Sequence, residues 1–257
     1  MPAVFISHGA PTLPLERSAA SAFLRQLGAT LDRPKAILAV SAHWETARPA
    51  VSAAAQPETI YDFYGFPPEL YRLRYPAPGA PDLAKRAAGL LEANGMKTQI
   101  DPGRGLDHGA WTPLILMYPD ADIPVTQLSV QTGSGPAHHV RLGEALRPLR
   151  DEGVLILASG GATHNLGEFR NHGRDDPPPP WVVEFNEWLA AAVVSGRTPD
   201  LVAYRKTAPH AARNHPTEEH LLPLHVAVGA ATPGGVARRI HSSYAYGVIG
   251  MDAYRFD

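Results

Sequence analysis

Residues 154–164 read Val-Leu-Ile-Leu-Ala-Ser-Gly-Gly-Ala-Thr-His, and this stretch decides the fold class. Its first five residues are all apolar. A continuous apolar run of this length is typical of a strand that helices cover on both faces. The small residues that follow predict a tight loop, which places His164 just beyond the end of the strand.

Similar apolar runs recur along the chain and alternate with stretches of helical pattern. Strands are predicted at residues 3–6, 36–40 and 125–130, with late edge strands at 236–240 and 246–249. Helices are predicted at residues 18–27, 81–93, 136–150, 181–194 and in part of 217–230. The four consecutive prolines within residues 175–180 predict an extended loop. Strands that alternate with helices indicate the α/β class.

The composition is that of a folded protein without an electrostatic signature for nucleic acid. The chain has 257 residues, of which 44% are hydrophobic and 19% are charged, and its net charge is −2. These values exclude a disordered chain and leave no basic surface for nucleic acid or anionic lipid. No apolar run approaches the roughly 18 residues that a membrane-spanning helix needs. Since no repeat or linker is visible, we expect residues 1–257 to form one domain.

The chain contains no cysteine, which restricts the chemistry open to it. Disulfide frameworks, cysteine nucleophiles, iron–sulfur clusters and thiolate zinc sites are excluded together. The chain has 12 histidines, so imidazole and carboxylate groups must supply the ligands of any transition metal. Residues 1–6 lack the basic and long apolar segments of a secretory signal, and we therefore expect a cytoplasmic location.

Three histidines follow apolar runs in the same way. His8 follows Ala3-Val-Phe-Ile-Ser, His43 follows Ile37-Leu-Ala-Val-Ser-Ala, and His164 follows the stretch quoted above. Ligands of open α/β sheets bind outside the carboxyl ends of the strands. Each residue alone could be an ordinary surface or hydrogen-bonded histidine. Three of them in matched loops, in a chain without cysteine, favour one shared metal site.

A fourth candidate is His220, which lies in the stretch His215-Pro-Thr-Glu-Glu-His-Leu-Leu-Pro-Leu224. Thr217 has the chemistry of a helix N-cap, and Glu218 and Glu219 suit the first turn of a helix that starts there. His220 would then share an apolar face with Leu224, where a polar ring needs a partner that a metal could provide. One of the two glutamates could also supply a carboxylate ligand. Pro223 makes a regular helix through this stretch doubtful.

His108 is a fifth candidate, because it lies in the glycine-flanked stretch Gly105-Leu-Asp-His-Gly-Ala-Trp111. The two glycines predict a tight loop that approaches another group closely. A loop histidine bonded to the backbone fits the same spacing, so the sequence leaves both interpretations open.

Motifs in a fixed order extend this pattern from residue 1 to about residue 230. They are Ser7-His-Gly9, Ser41-Ala-His-Trp44, Ile60-Tyr-Asp-Phe-Tyr-Gly-Phe-Pro67, Tyr75-Pro-Ala-Pro-Gly79, Gly105-Leu-Asp-His-Gly-Ala-Trp111, Tyr118-Pro-Asp-Ala-Asp-Ile-Pro-Val125, Ala158-Ser-Gly160 with Thr163-His-Asn-Leu166, and Pro216-Thr-Glu-Glu-His-Leu-Leu-Pro-Leu224. Taken together they resemble the class III extradiol ring-cleavage dioxygenases, and most closely the DOPA dioxygenase-like branch. The resemblance implies a single three-layer α/β/α domain with a central, mostly parallel or mixed sheet.

The resemblance also implies a role for each histidine. His8, His43 and His220 match metal-ligating positions. His164 matches the acid/base of ring cleavage and, in some members, a fourth ligand of the metal. His108 matches a histidine that faces the substrate.

The sequence leaves the identity of the metal open between Fe(II) and Zn(II). The better-known class III enzymes use two histidines and one glutamate, which suits Fe(II) and O₂. A histidine stands in the third position here, and four imidazoles could equally enclose Zn(II). The expected cofactor is therefore one divalent ion, Fe(II) for activity or Zn(II) as bound.

The reaction implied is the cleavage of a catechol ring by O₂ to a yellow product of the muconic semialdehyde type. His164 would exchange protons with the substrate, and His108 would hydrogen-bond to the substrate or the oxygen. Five aromatic residues are candidates for the pocket wall, and each fits the apolar core equally well: Trp44, Phe63, Tyr64, Phe66 and Trp111. The alternatives are a zinc-dependent hydrolase and a non-catalytic metal-binding protein on the same fold.

Overall fold

In a computed structural model, which describes residues 1–169 and 171–257, the apolar run at residues 154–158 lies in the middle of a mixed sheet. The strands are β1 (Ala3–Ser7), β2 (Ala36–Glu45), β3 (Ala50–Ser52), β4 (Gln99–Asp101), β5 (Val125–Val130), β6 (Val154–Gly160), β7 (Ala237–His241), β8 (Tyr244–Ala245), β9 (Ile249–Gly250) and β10 (Ala253–Phe256). Over the described residues, eight strands form this sheet in the order β4-β3-β5-β2-β6-β1-β10-β7. β8 and β9 form a separate ladder.

Helices connect the strands. They are α1 (Ala19–Thr30), α2 (Pro81–Ala93), α3 (His108–Met117), α4 (Gly135–Leu146), α5 (Pro148–Asp151), α6 (Leu166–Phe169), α7 (Pro180–Val194), α8 (Thr198–Val202), α9 (Tyr204–Thr207), α10 (Ala211–Asn214) and α11 (Leu222–Ala230). Short 3₁₀ helices lie at Leu13–Leu15, Leu70–Arg72 and Thr132–Ser134. No helix in the described ranges is long and apolar enough to cross a membrane.

The sheet separates two apolar cores, because successive side chains of a strand point to opposite faces. Along β1, Val4 and Ile6 pack into the core beneath α1 and α3. Ala3 and Phe5 pack into the other core, with apolar residues of α2, α4 and α11. The four central strands β5, β2, β6 and β1 run parallel, and the edges are partly antiparallel. The predicted three-layer α/β/α architecture with a mixed sheet is therefore confirmed.

Several element boundaries differ from the sequence prediction. β2 continues past Val40 through an irregularity in its pairing, so His43 lies within the strand and not in a loop after it. The helix predicted at 136–150 is interrupted after Leu146, where Pro148 begins the short helix α5. The helix predicted from Thr217 begins only at Leu222.

The end of the chain was predicted least well. The strand predicted at residues 236–240 is present as β7, shifted by one residue. Residues 246–249 do not form an edge strand, because Tyr246 adopts a positive φ of 52° and turns the chain between β8 and β9. The strand β10 was missed, although it pairs with β1 in the body of the sheet.

Candidate metal centre and catalytic site

The histidines converge because the central strands end at the same level. β6 lies between β2 and β1, and its Ser159 is level with Ser41 on one side and with Ile6 on the other. His8 follows β1 directly, and its backbone N–H donates to the Gly160 carbonyl at 3.0 Å. The carboxyl ends of these parallel strands therefore form one crevice, as the sequence predicted for such strands.

His220 reaches the same crevice from the turn before α11. Its carbonyl accepts a hydrogen bond from the Gly161 N–H at 2.9 Å. A Cβ built on Gly160 would lie 2.1 Å from the same carbonyl oxygen, so only glycine permits this approach. The two glycines at the end of β6, Gly160 and Gly161, thus let the His220 backbone pack against the strand end.

The Nε2 atoms of three histidines lie close together. The distance from His8 Nε2 to His43 Nε2 is 3.0 Å, and from His43 Nε2 to His220 Nε2 it is 3.3 Å. His8 and His220 are 1% and 5% exposed. The cluster is therefore shielded from bulk water on most sides.

Each of these rings has an oxygen beside its Nδ1. Ser159 Oγ lies 3.0 Å from His8 Nδ1, and Glu219 Oε1 lies 3.1 Å from His220 Nδ1. Asp62 Oδ2 is 3.5 Å from His43 Nδ1. Because a carboxylate oxygen only accepts, these neighbours favour the tautomer with the proton on Nδ1. The Nε2 lone pairs then face one another, an arrangement that a cation between them would stabilise.

The measured separations fit a bound metal ion. Imidazole nitrogens about 2.0–2.1 Å from one ion, at angles between about 90° and 109°, are about 2.8–3.4 Å apart. The Nε2 distances of 3.0 and 3.3 Å lie within this range. The donor set and its neighbouring oxygens therefore suit a divalent transition metal.

Burial keeps these imidazoles neutral. It lowers the pKa of His43 to about 3 and that of His164 to about 4, and it lowers the pKa values of His8 and His220 as well. Neighbouring imidazoles add to the lowering, because a charged ring would repel the others. Near pH 7 each of these imidazoles is therefore neutral, and one of its two ring nitrogens keeps a free lone pair.

His108 lies at the first position of α3, against His43, with 3.9 Å between the ring centroids. Asp62 holds it twice: Oδ1 accepts from the His108 backbone N–H and Oδ2 from Nδ1, each at 2.9 Å. Burial raises the pKa of Asp62, but the hydrogen bonds and charge of His108 outweigh this and lower it to about 2. His8, His43 and His108 together also have ligand atoms close enough for one ion.

His164 stacks on His220, with ring centroids 3.4 Å apart and planes at 10°. It forms a second group of potential ligands with Glu219 and His220. The structure thus brings all five predicted histidines together, in two adjoining groups that meet where His43 contacts His220.

Glu219 does not cap a helix, contrary to the interpretation favoured from the sequence. Its Oε1 contacts His220 Nδ1 and accepts from Thr217 Oγ1 at 2.8 Å. Glu218 pairs with Arg205 at 3.3 Å. His220 precedes α11, so it does not share a helical face with Leu224.

The histidines open into a cavity of about 690 Å³. Of the aromatic residues predicted to line it, Phe63 and Phe66 do so. Trp111 is instead fully buried with its Nε1–H on the Ile60 carbonyl, Tyr64 is 92% exposed, and Trp44 packs under the Arg104 guanidinium. Three aromatic residues that were not predicted also line the cavity: Phe169, Tyr244 and Tyr246.

Asp62 and Ser159 are the site residues that sequence reasoning missed. Both lie inside motifs of the resemblance, so their positions were marked. Their partners, His108 and His8, are 46 and 151 residues away, and no local pattern connects such pairs.

Comparisons with known proteins identify the family of this chain. Residues 2–256 match the family model described as the catalytic LigB subunit of aromatic ring-opening dioxygenase. The chain is 46% identical to 4,5-DOPA dioxygenase extradiol of Beta vulgaris, over 98% of this chain and 95% of that protein. It is 45% identical to 4,5-DOPA dioxygenase extradiol of Escherichia coli strain K12, over 90% of this chain and 85% of that protein.

A solved structure has the same fold. The crystal structure of the uncharacterized protein JW3007 from Escherichia coli K12 superimposes with a TM-score of 0.84 at 36% identity and covers 100% of both chains. The extradiol dioxygenase resemblance read from the sequence is confirmed, and the dioxygenase is favoured over the hydrolase and the non-catalytic alternatives. The chain therefore belongs to the family of the catalytic LigB subunit of aromatic ring-opening dioxygenase, and it is an extradiol dioxygenase that cleaves catechol-type rings.

Proposed function

We propose that His8, His43 and His220 hold one divalent metal ion through their Nε2 atoms. The observation that carries this assignment is the pair of Nε2 separations, 3.0 and 3.3 Å, in the wall of the cavity. The oxygens of Ser159, Asp62 and Glu219 beside the three Nδ1 atoms support it, because such partners orient metal-bound histidines.

We propose Fe(II) as the ion of the active enzyme. When bound, Fe(II) lets electrons pass from the catechol ring to O₂, which Zn(II) does not allow because it has no redox chemistry. Zn(II) would occupy the same nitrogens, so a protein isolated with zinc is expected to gain activity on exchange for Fe(II).

His164 and His108 serve as the groups that handle protons and orient the substrate. His164 lines the cavity beside His220 and is neutral near pH 7, so a ring nitrogen can accept a catechol proton and return it during ring opening. His108 donates Nδ1–H to Asp62, which leaves its Nε2 lone pair to accept a hydrogen bond from the substrate. His164 is also the candidate for a fourth ligand.

The substrate proposed is a catechol of the DOPA type. The relatives in Beta vulgaris and Escherichia coli carry the name 4,5-DOPA dioxygenase extradiol. The aromatic wall formed by residues such as Phe63 and Phe66 suits a planar ring and excludes water from it. Cleavage beside the diol would insert both atoms of O₂ and give a yellow semialdehyde.

Oxygen uptake tests the proposal. Protein is purified anaerobically, stripped of metal, and loaded with Fe(II) or with Zn(II). We expect the Fe(II) form to consume O₂ with DOPA, caffeate or protocatechuate, one molecule for each yellow product formed, and the Zn(II) form to consume none. Equal rates with both ions, or no uptake by an Fe(II) form that has bound its metal, would refute it.

Replacement of His164 separates proton transfer from metal binding. We expect His164→Ala to retain its fold and its metal but to lose ring cleavage by about 100-fold or more, the scale of general acid–base catalysis. Metal content and kcat are measured on the same preparation. Full turnover in this variant would remove His164 from the mechanism.

A further inference from the structure

One carboxylate in the cavity wall is not used by the proposed ring-cleavage chemistry. Two acidic side chains line the cavity, Asp62 and Glu16. Asp62 is bound to His108, but Glu16 contacts none of the histidines through its recorded bonds. No lysine or arginine side chain is found among the described residues that line the cavity.

Glu16 is fixed at the end of the segment that leaves β1. The wall runs without interruption from His8 to Leu13 and continues at Glu16, so the carboxylate and the candidate metal ligand belong to one stretch of chain. Thr12 Oγ1 donates to Glu16 Oε1 at 2.6 Å, and the Ser21 hydroxyl donates to the Glu16 carbonyl at 2.8 Å. The side chain of Glu16 is only 12% exposed.

Arg174 supplies the opposite charge. Its Nη2 lies 2.9 Å from Glu16 Oε2, and its side chain is 45% exposed. The Arg174 carbonyl accepts a hydrogen bond from the N–H of Tyr246, which lines the cavity. The Arg174 guanidinium thus stands directly behind a carboxylate that lines the cavity, and its backbone bonds to a second lining residue.

We propose that Glu16 and Arg174 form the binding site for the side chain of the substrate and select catechols that carry an α-amino acid group. The ammonium of such a substrate binds to Glu16, and its carboxylate binds to Arg174. This inference rests on the proposed catechol dioxygenase function and names the residues that would select its DOPA-type substrate.

Charge balance is the reason for this choice. An α-amino acid brings one positive and one negative group attached to the same carbon, so it can add to the existing ion pair and leave no charge unmatched. A side chain with only an ammonium or only a carboxylate brings a net charge to a partly buried pair that is already neutral, at a cost in desolvation. A neutral side chain gains nothing from either residue.

Four catechols with different side-chain charges test the inference: DOPA, dopamine, 3,4-dihydroxyphenylpropionate and 4-methylcatechol. The measurement is kcat/KM of the Fe(II) enzyme, expressed for each compound as a ratio to 4-methylcatechol, which cancels any general loss of activity. We expect DOPA to have the highest ratio in the wild type. Glu16→Gln keeps an acceptor for the Thr12 hydroxyl but loses the negative charge. This variant should lower the ratio of DOPA to 4-methylcatechol about tenfold. We expect the same decrease for Arg174→Gln.

The Arg86–Glu152 pair provides the matched control, because it is an exposed ion pair of 2.7 Å outside the cavity. Glu152→Gln and Arg86→Gln should keep the wild-type ratios. The inference is overturned if the wild type does not favour DOPA, or if the ratios in Glu16→Gln match those of Glu152→Gln.

Calorimetry on the Zn(II) form separates this inference from the proposed function. Dissociation constants of DOPA and 4-methylcatechol need no turnover. If DOPA binds about tenfold more tightly and Glu16→Gln removes the difference, the inference stands even if no catechol is cleaved. If catechols are cleaved but neither binding nor turnover responds to Glu16, the inference fails and the dioxygenase proposal remains.

Discussion

His43 occupies the centre of the histidine cluster. Its ring centroid lies 4.9 Å from those of His8 and His220 and 3.9 Å from that of His108. Removing it takes away the nitrogen that both other Nε2 atoms approach. We therefore expect His43→Ala to bind well below one ion per chain after anaerobic loading and desalting, measured by metal analysis.

The control for this prediction is His138→Ala, because His138 bonds to Gln131 outside the cavity. This variant should bind as much metal as the wild type. Unchanged metal content in His43→Ala would remove His43 from the ligand set.

Asp62 determines the orientation of His108. Because its pKa is about 2, it stays ionised at neutral pH and accepts from both the backbone and the ring of His108. An amide at this position can accept through one atom only, so Asp62→Asn releases the ring or the backbone. We expect kcat to fall about 10–100-fold, the usual cost of losing such a partner. Metal content is measured on the same preparation, because Asp62 Oδ2 also lies 3.5 Å from His43 Nδ1.

Glu184→Gln is the matched control, because Glu184 contacts His210 at 2.9 Å on an exposed surface. It should leave kcat within about twofold of the wild type, as is usual for a surface substitution of small energetic effect. A kcat in Asp62→Asn as high as in this control would show that His108 does not need the carboxylate.

At the scale of elements, the sequence predicts a strand well where burial alone decides its length. β1 and β6 were predicted to within two residues, because each contains an apolar run with both faces covered. β5, Val-Thr-Gln-Leu-Ser-Val, was predicted to the residue from its β-branched residues, although half of it is polar. The end of β2 was missed because residues 41–45 (Ser-Ala-His-Trp-Glu) are not an apolar run, although the backbone continues as a strand. Pairing with β5 and β6, which are distant in sequence, keeps this segment extended. A local sequence pattern cannot predict such pairing.

The start of α11 shows how one local rule overrides another. Thr217 has the chemistry of an N-cap, and on that basis the helix was expected to begin there. A helix from Thr217 would place Pro223 in its interior, where the ring clashes with the preceding turn. The helix begins at Leu222 instead, with Pro223 in its first turn, and the residues before it are free to turn His220 into the crevice. The proline was the stronger signal.

Helices α4 and α11 pack closely because two glycines face each other's backbone. A Cβ on Gly143 would lie 2.0 Å from the Val226 carbonyl oxygen, and a Cβ on Gly229 would lie 1.9 Å from the Val140 carbonyl oxygen. Backbone atoms cannot move aside cheaply. We expect Gly143→Ala to lower the free energy of unfolding by about 1–3 kcal/mol, measured by urea denaturation.

Gly89→Ala in α2 is the opposite case within a helix. A Cβ there meets nothing within 4 Å, so the substitution should raise the free energy of unfolding by about 0.5–1 kcal/mol. If Gly143→Ala proved as harmless as Gly89→Ala, the close crossing of α4 and α11 would be wrong.

At the scale of the whole molecule, the two ends of the chain lie in the same sheet. β1 pairs with β10, so the first and last strands are neighbours, and the core on each side draws residues from distant parts of the chain. This arrangement supports the prediction of one domain, which would unfold as one cooperative unit. A buried side chain in either core then affects the stability of the whole domain, and its effect can be measured in a single unfolding transition.

Buried histidines away from the candidate metal centre make that equilibrium depend on pH. Burial lowers the pKa of His139 and of His215 to about 3, although hydrogen bonds to the Gly135 and Ala162 carbonyls raise it in part. In the unfolded chain the pKa of both is near the ordinary histidine value of 6.5. Between these values the unfolded state binds protons that the folded state does not, so stability rises with pH. Each of the two histidines therefore lowers the free energy of unfolding by about 1.4 kcal/mol for every pH unit below 6.5, down to about pH 3.

His139→Gln tests this sign and magnitude. Glutamine can accept from the Gln131 N–H and donate to the Gly135 carbonyl, as the imidazole does at 3.1 and 2.8 Å, but it does not titrate. Urea unfolding of the metal-free protein is measured from pH 7.5 to pH 4.5, and the difference at pH 7.5 gives the cost of the substitution itself. Below pH 6.5 the stability of the variant should fall less steeply than that of the wild type, by up to about 1.4 kcal/mol per pH unit. Parallel curves would mean that His139 is protonated equally in both states, and its buried, neutral position in the structure would be wrong.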